Sequence, residues 1–157
     1  MRRVILTGVF MALVMPGSAR GADLGFGVIL GSPTGLAFKY RATKRSAFAA
    51  HAGWSFIDNP GIHLTGDYQH LFPMTIETEE GTTINDLTLY IAAGGRFRFK
   101  KVDATDETNF HLGLRIGGGA EYRIDRFGIF LEIVPVVDLI PETDVDLEGG
   151  LGFLFYF

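Results

Sequence analysis

Cysteine is absent from the 157 residues, which excludes a disulfide framework and a cysteine-borne lipid anchor. A long apolar run is missing too. Past Ala19 no stretch approaches the ~20 consecutive apolar residues of a membrane-crossing helix. No segment of any length shows the 3.6-residue period of an amphipathic helix. Positive charge is not in excess either: 14 Lys and Arg stand against 18 Asp and Glu, a formal net charge of −4, which argues against a nucleic-acid partner. What the chain has in quantity is glycine, 21 residues, and phenylalanine, 14 residues.

The first residues read as a targeting segment. Arg2 and Arg3 precede an apolar run from Val4 to Met15, then Pro16, Gly17, Ser18 and Ala19. A basic, apolar and small-residue order is that of a secretory signal peptide, and the run is too short to span a bilayer. Cleavage falls after about residues 19–22; both Gly17-Ser18-Ala19 and Ala19-Arg20-Gly21 fit. The expected division is a signal peptide over 1–21 and a single domain over 22–157. Removing residues 1–19 takes Arg2 and Arg3 with it and moves the net charge from −4 to −6.

The last thirteen residues set the fold class. Val145, Leu147, Gly149, Leu151, Phe153, Phe155 and Phe157 alternate with Asp146, Glu148, Gly150, Gly152, Leu154 and Tyr156, the two-residue period of a strand. The same alternation, punctuated by turn residues, predicts strands over Leu24–Gly31, Gly35–Ala42, Ala47–Phe56, Gly61–Leu71, Leu87–Phe99, Phe110–Arg123, Phe127–Leu139 and Val145–Phe157. Most reach the ~9–11 residues that a tilted strand needs to cross a bilayer. Pro135, mid-strand and without a donor, predicts a bulge or irregularity in the seventh.

Sorted by parity, the strands have one face without Asp, Glu, Lys or Arg, on which His70 is the only ionisable residue. The opposite face carries Lys39, Arg41, Asp67, Arg96, Arg98, Arg115, Glu121, Arg123, Glu132, Asp138, Asp146 and Glu148, six basic and six acidic residues, with His51, His63 and His111. Parity does not say which face is inside. A soluble, lipocalin-like lipid-binding barrel would bury the apolar set; a membrane barrel turns it towards lipid. Three features favour the membrane arrangement. The charged face is also the glycine face (Gly25, Gly94, Gly113, Gly119, Gly150 and Gly152 among others), as a narrow lumen needs. Aromatics of the apolar face, including Tyr40, Phe48, Trp54, Phe56, Phe97, Phe99, Phe110, Tyr122 and Phe155, gather near strand ends, as interfacial girdles do. Equal numbers of opposite charges suit enclosure. In hydrocarbon every backbone donor and acceptor needs a partner, so the sheet must close. The expected fold is an all-β, closed, antiparallel eight-stranded transmembrane up-and-down barrel.

With these residues in place, the chain resembles the small eight-stranded bacterial outer-membrane barrels of the OmpA and OmpX type. Leu151, Phe153, Phe155 and the final Phe157 match the terminal signal by which such proteins are recognised for insertion. Gly31-Ser32-Pro33-Thr34-Gly35-Leu36 with Lys39-Tyr40, and Pro135 to Asp144, are similar to a mostly uncharacterised family of small outer-membrane barrels. The resemblance implies outer-membrane lipids and the barrel-insertion machinery as partners, a monomeric state and no particular activity. It also places both termini in the periplasm, so the longest expected connection, Phe72–Asp86, falls where turns are usually short. Either residues 75–82, bending at Glu80-Gly81, lengthen the hairpin, or the strand count is off by one there.

No catalytic, cofactor or metal site is expected. Eight strands leave an interior that side chains fill, so the twelve charges are expected as a structural plug, with a narrow pore as the alternative. His63 and Asp67 share a face but lie about 13 Å apart along the strand, too far for one ion. A lipid-modifying enzyme would need Ser, His and a carboxylate converging at the lipid face, where only His70 stands; His63-Leu64-Thr65 faces the other way. Glu142, Asp144, Asp146 and Glu148 could line a divalent-ion site but read better as a solvated acidic rim. Asp103, Asp106 and Glu107 lack the pattern of a calcium loop.

Overall fold

The structure is a computed structural model that describes residues 23–55, 61–101 and 108–157. The segment 1–21, Phe56, the Asp58-Asn59-Pro60 breaker and Asp103, Asp106 and Glu107 lie outside the described residues. Eight strands follow one another: β1 (Asp23–Ser32), β2 (Gly35–Arg41), β3 (Ser46–Ser55), β4 (Gly61–Glu77), β5 (Thr83–Lys101), β6 (Thr108–Ile124), β7 (Phe127–Ile140) and β8 (Asp144–Tyr156). Each pairs antiparallel with the next, and β1 pairs with β8 from Gly25↔Tyr156 to Ser32↔Gly149. The ring therefore has no open edge through its body, which is the condition hydrocarbon imposes on a sheet. Asp23 and Phe157 lie at one end, called here the terminal end, with the connections after β2, β4 and β6. The connections after β1 and β7 mark the opposite, loop end.

Alternation in the sequence becomes inside and outside. Outward residues such as Phe26, Phe38, Leu64, Ile91, Leu114, Ile116, Leu131 and Ile133 are exposed, while Lys39, Asp67, Arg96, Arg115, Glu121, Glu132, Asp138 and Glu148 are buried in the lumen. On the outer wall, aromatic rings meet at both ends. Phe97 and Phe99 pack on Phe110 with centroids 5.8 and 5.5 Å apart, near the loop end. At the terminal end Phe155 packs between Phe127 and Phe157, at 5.4 and 5.1 Å. The first two pairs are tilted and the last two edge-on, the latter a favourable ring geometry.

One expectation is corrected and another is met in its milder form. Phe72–Asp86 is not a loop: β4 and β5 continue through most of it, pairing Pro73↔Thr88, Met74↔Leu87, Ile76↔Ile84 and Glu77↔Thr83. Only residues 78–82 turn, with Gly81 at φ 78°, a left-handed conformation glycine adopts at no steric cost. The alternating Phe72, Met74 and Ile76 carry the strand period through this stretch, so the hairpin lengthens and the count stays at eight. Pro135 marks an irregularity in β7, as expected, without shifting the β6–β7 register. The ladder lacks its steps at Pro135 and Val134 and resumes unshifted, Arg115↔Val136 on one side and Gly118↔Ile133 on the other. A missing donor thus costs local pairing only. The register shift in this pair lies instead near the end of β7, where Leu112↔Ile140 is followed by Gly113↔Asp138.

The lumen as candidate functional site

The lumen side chains fall into three groups along the barrel axis. Towards the loop end, Arg96 on β5 is fully buried and reaches three carboxylates across the lumen: Glu148 at 2.5 Å, Asp138 at 2.6 Å and Asp146 at 2.9 Å. Arg98, one step nearer the mouth, lies 3.3 Å from Glu148 and 3.4 Å from Asp146. His63 on β4 approaches Glu148 at 3.1 Å. His111 lies 4.0 Å from Asp138. A guanidinium has five donors in a planar fork, and Arg96 spends two of its nitrogens on three acceptors from two strands.

In the middle Arg115 also faces three carboxylates, with three nitrogens and from three strands. Its Nε lies 3.1 Å from Asp67, its Nη1 2.8 Å from Glu148 and its Nη2 3.5 Å from Glu132. The Tyr90 hydroxyl donates to Glu132 at 3.3 Å. His51 lies 3.8 Å from Glu132 and hydrogen-bonds the Thr65 hydroxyl at 3.1 Å. Glu148 is thus shared by Arg96, Arg98, Arg115 and His63, which joins the loop-end and central groups.

Nearer the terminal end the chemistry changes. Lys39 pairs with Glu121, whose other oxygen accepts from the Tyr156 hydroxyl at 2.5 Å. The Lys39 ammonium sits 4.6 Å from the centroid of the Tyr90 ring. Arg41 donates to Thr88 at 3.1 Å. At the rim Arg123 pairs with Asp23 at 2.6 Å and lies over the Tyr156 ring at 4.1 Å. The rest of this region is apolar: Ile29, Ala37, Phe130, Leu154 and Tyr156 form one buried cluster, and Ala47, Leu71, Tyr90 and Ala92 another. A small void between the central and terminal groups is lined by Lys39, His51, Gln69, Tyr90, Phe130 and Leu154.

Room for these side chains comes from the residues paired beside them. Arg96 lies across from Gly113, Arg115 from Gly94, Glu132 from Gly119 and Gly150, Phe130 from Gly152 and Tyr156 from Gly25. A Cβ on Gly152 would come within 2.1 Å of the Phe130 ring, and one on Gly119 within 2.5 Å of the Tyr90 hydroxyl oxygen. In the narrow interior of eight strands several of the largest side chains thus stand against a glycine.

The remaining candidates separate. His63 and Asp67 serve different partners, Glu148 and Arg115. His70 lies on the outer wall against Phe72, with ring centroids 4.9 Å apart. Of the acidic run, Glu148 is fully buried and Asp146 is held by Arg96, while Glu142 and Asp144 are exposed. Among the described residues no group of three or more His, Asp or Glu side chains is arranged to hold a metal ion. Leu151, Phe153 and Phe157 are exposed on the outer wall, and Phe155 is half-buried between its aromatic neighbours. The reading from sequence missed the neutral members Tyr90, Phe130, Gln69 and Thr88, and Asp23 at the rim. Their signal was parity, since each of the four neutral residues shares the face of the charged set.

No protein-family model matches the chain, and no curated protein sequence does. Solved structures do. The N-terminal β-barrel domain of OprF from Pseudomonas aeruginosa superposes with a TM-score of 0.64 at 17% identity, covering 87% of this chain and 96% of that one. Neisserial surface protein A (NspA) is matched at a TM-score of 0.43 and 14% identity, over 87% of this chain and 94% of that one. The fold is that of the small eight-stranded outer-membrane barrels.

Proposed function

We propose that this protein is an integral outer-membrane barrel of a diderm bacterium, monomeric and not an enzyme, whose ion-paired lumen is a plug and whose role in the envelope is structural. The observation that carries the reading is the sorting of side chains. Arg96, Arg115, Glu121, Glu132 and Glu148 are buried inside, while a band of exposed Leu, Ile, Val and Phe residues surrounds the barrel between two aromatic ends. In water that band would be a large exposed apolar surface, which soluble monomers avoid; in a bilayer it is the required exterior. The likeness to the OprF barrel domain, an eight-stranded barrel of the same topology class, supports it.

On this reading outer-membrane lipids cover the band, the insertion machinery reads Leu151, Phe153, Phe155 and Phe157, and residues 1–21 direct export and are removed. Most of the ionisable lumen groups lie within ion-pair distance of one another, which supports the plug. Fractionation with gel mobility of the detergent-solubilised protein, heated and unheated, tests the proposal. Recovery in the outer membrane with a heat-dependent mobility shift is the expected result, and recovery in the soluble periplasm without detergent would overturn it. Planar-bilayer recording tests the plug: steady single-channel steps would replace it with a narrow pore.

A further inference from the structure

The β4–β5 hairpin outruns its neighbours at the terminal end. The pairing of β3 with β4 ends at Ser46↔His70, with one more bond from the Leu71 amide to the Arg45 carbonyl. The pairing of β6 with β5 ends at Leu87↔Tyr122. Beyond these points Phe72–Glu77 and Thr83–Asp86 pair only with each other, as a two-stranded ribbon. Six residues of β4 make about 20 Å of strand whose outer edge has no backbone partner among the described residues. Counting on from the Leu71 amide, Pro73, Thr75 and Glu77 face this edge; Pro73 lacks a donor, so the amides of Thr75 and Glu77 and the carbonyls of all three are what another extended chain can pair with.

The ribbon also has a defined surface. Phe72, Met74 and Ile76 continue the apolar side of β4 beyond the barrel wall, and they are 44%, 38% and 39% exposed. Its charges are all of one sign: Glu77, Glu79, Glu80 and Asp86 are exposed, and residues 72–89 contain no Lys or Arg. These carboxylates discriminate between occupants. A second copy standing the same way up in one bilayer would bring the same four negative charges tip to tip, and like charges placed opposite one another are destabilising. An anionic lipid surface is opposed for the same reason. An extended segment that alternates apolar and basic residues meets no such penalty.

We propose that the free edge of β4 at Phe72–Glu77 docks an extended, basic segment of a periplasmic protein as an added strand. Its apolar side chains lie beside Met74 and Ile76, and its cations face the tip carboxylates. Lys44 and Arg45, in the turn at the base of this edge, place the cations of the bound segment towards the tip. The compartment and the exclusion of a second copy rest on the outer-membrane reading above; the edge geometry does not.

The test uses the full chain folded in detergent, its closure checked by the unheated gel shift, and titrated with a capped octapeptide of alternating lysine and valine. Saturable binding is expected. It should be abolished when alternate peptide amides are N-methylated, and weakened roughly tenfold by combining Glu77→Gln, Glu79→Gln, Glu80→Gln and Asp86→Asn. A second variant, with residues 74–86 replaced by a short turn, should bind no peptide while keeping the gel shift. Absence of binding by a folded barrel would overturn the proposal. So would equal binding of the N-methylated peptide, an unaffected charge variant, ribbon-dependent dimerisation, or ribbon-dependent attachment to anionic vesicles. A barrel that passes the gel shift yet binds nothing sinks the docking edge alone, whereas soluble recovery in fractionation sinks the membrane reading alone.

Discussion

Between Arg115 and Asp138 the lumen is filled by guanidinium forks against five carboxylates, Asp67, Glu132, Asp138, Asp146 and Glu148. A few residues closer to the chain termini it is filled by Ile29, Phe130, Leu154 and the rings of Tyr90 and Tyr156, with a single Lys39–Glu121 pair among them. Both regions occupy the same width of barrel and both rely on glycine beside the largest side chains. They differ in how a local loss spreads. In the ionic half Glu148 is shared by four cationic or basic side chains, so one deletion strands several charges at once. In the apolar half a change is felt mainly as volume, and no carboxylate there is shared by as many cations as Glu148: Glu121 holds Lys39 and the Tyr156 hydroxyl.

Four substitutions can break or sharpen that contrast. Arg115→Ala should have the largest effect, because it leaves Asp67 and Glu132 enclosed without their cation and removes one cation from Glu148. A loss of about 3–5 kcal/mol is expected from breaking a buried pair, read as a lower urea midpoint of the gel shift in detergent. Gly152→Ala should follow. The added methyl group runs into the Phe130 ring, and overpacking of this kind costs about 1–3 kcal/mol by the same urea titration. If it proved worse than Arg115→Ala, packing and not charge pairing would be the dominant constraint on the lumen. Tyr156→Phe removes one donor to Glu121 and keeps the ring, so a loss of about 1–2 kcal/mol is expected. Asp146→Asn should be the mildest: its side chain is 43% exposed, and Arg96 keeps Asp138 and Glu148. A change below about 1 kcal/mol fits a pair open to solvent; a larger one would extend the strongly coupled region out to the mouth.

The architecture was readable because a two-residue period leaves a trace in sequence whatever the partner strand is. From β2 to β8 the outward and inward sets can be sorted by parity alone, and Phe72, Met74 and Ile76 carried the same trace into a segment whose Thr, Glu and Gly content suggested a loop. What could not be read was which inward residues meet. Arg115 reaches Asp67 from β4, Glu132 from β7 and Glu148 from β8, residues 17 to 48 positions away in sequence. Those meetings depend on the stagger of the closed sheet, which no single strand encodes. The neutral rings escaped notice for another reason. Tyr90 and Phe130 are apolar enough to suit the outer wall, so parity and hydropathy disagree about them, and only the lumen-filling requirement decides.

Closure of β1 against β8 sets an order on biogenesis. The earliest strand to leave the ribosome waits for the latest one before its second edge is satisfied, so every intermediate length of chain carries an unzipped flank from Gly25 to Ser32. A polypeptide cut short before Gly149 has nothing to cap that flank. The seam therefore acts as a length gauge: only a chain carrying its final strand can become a ring.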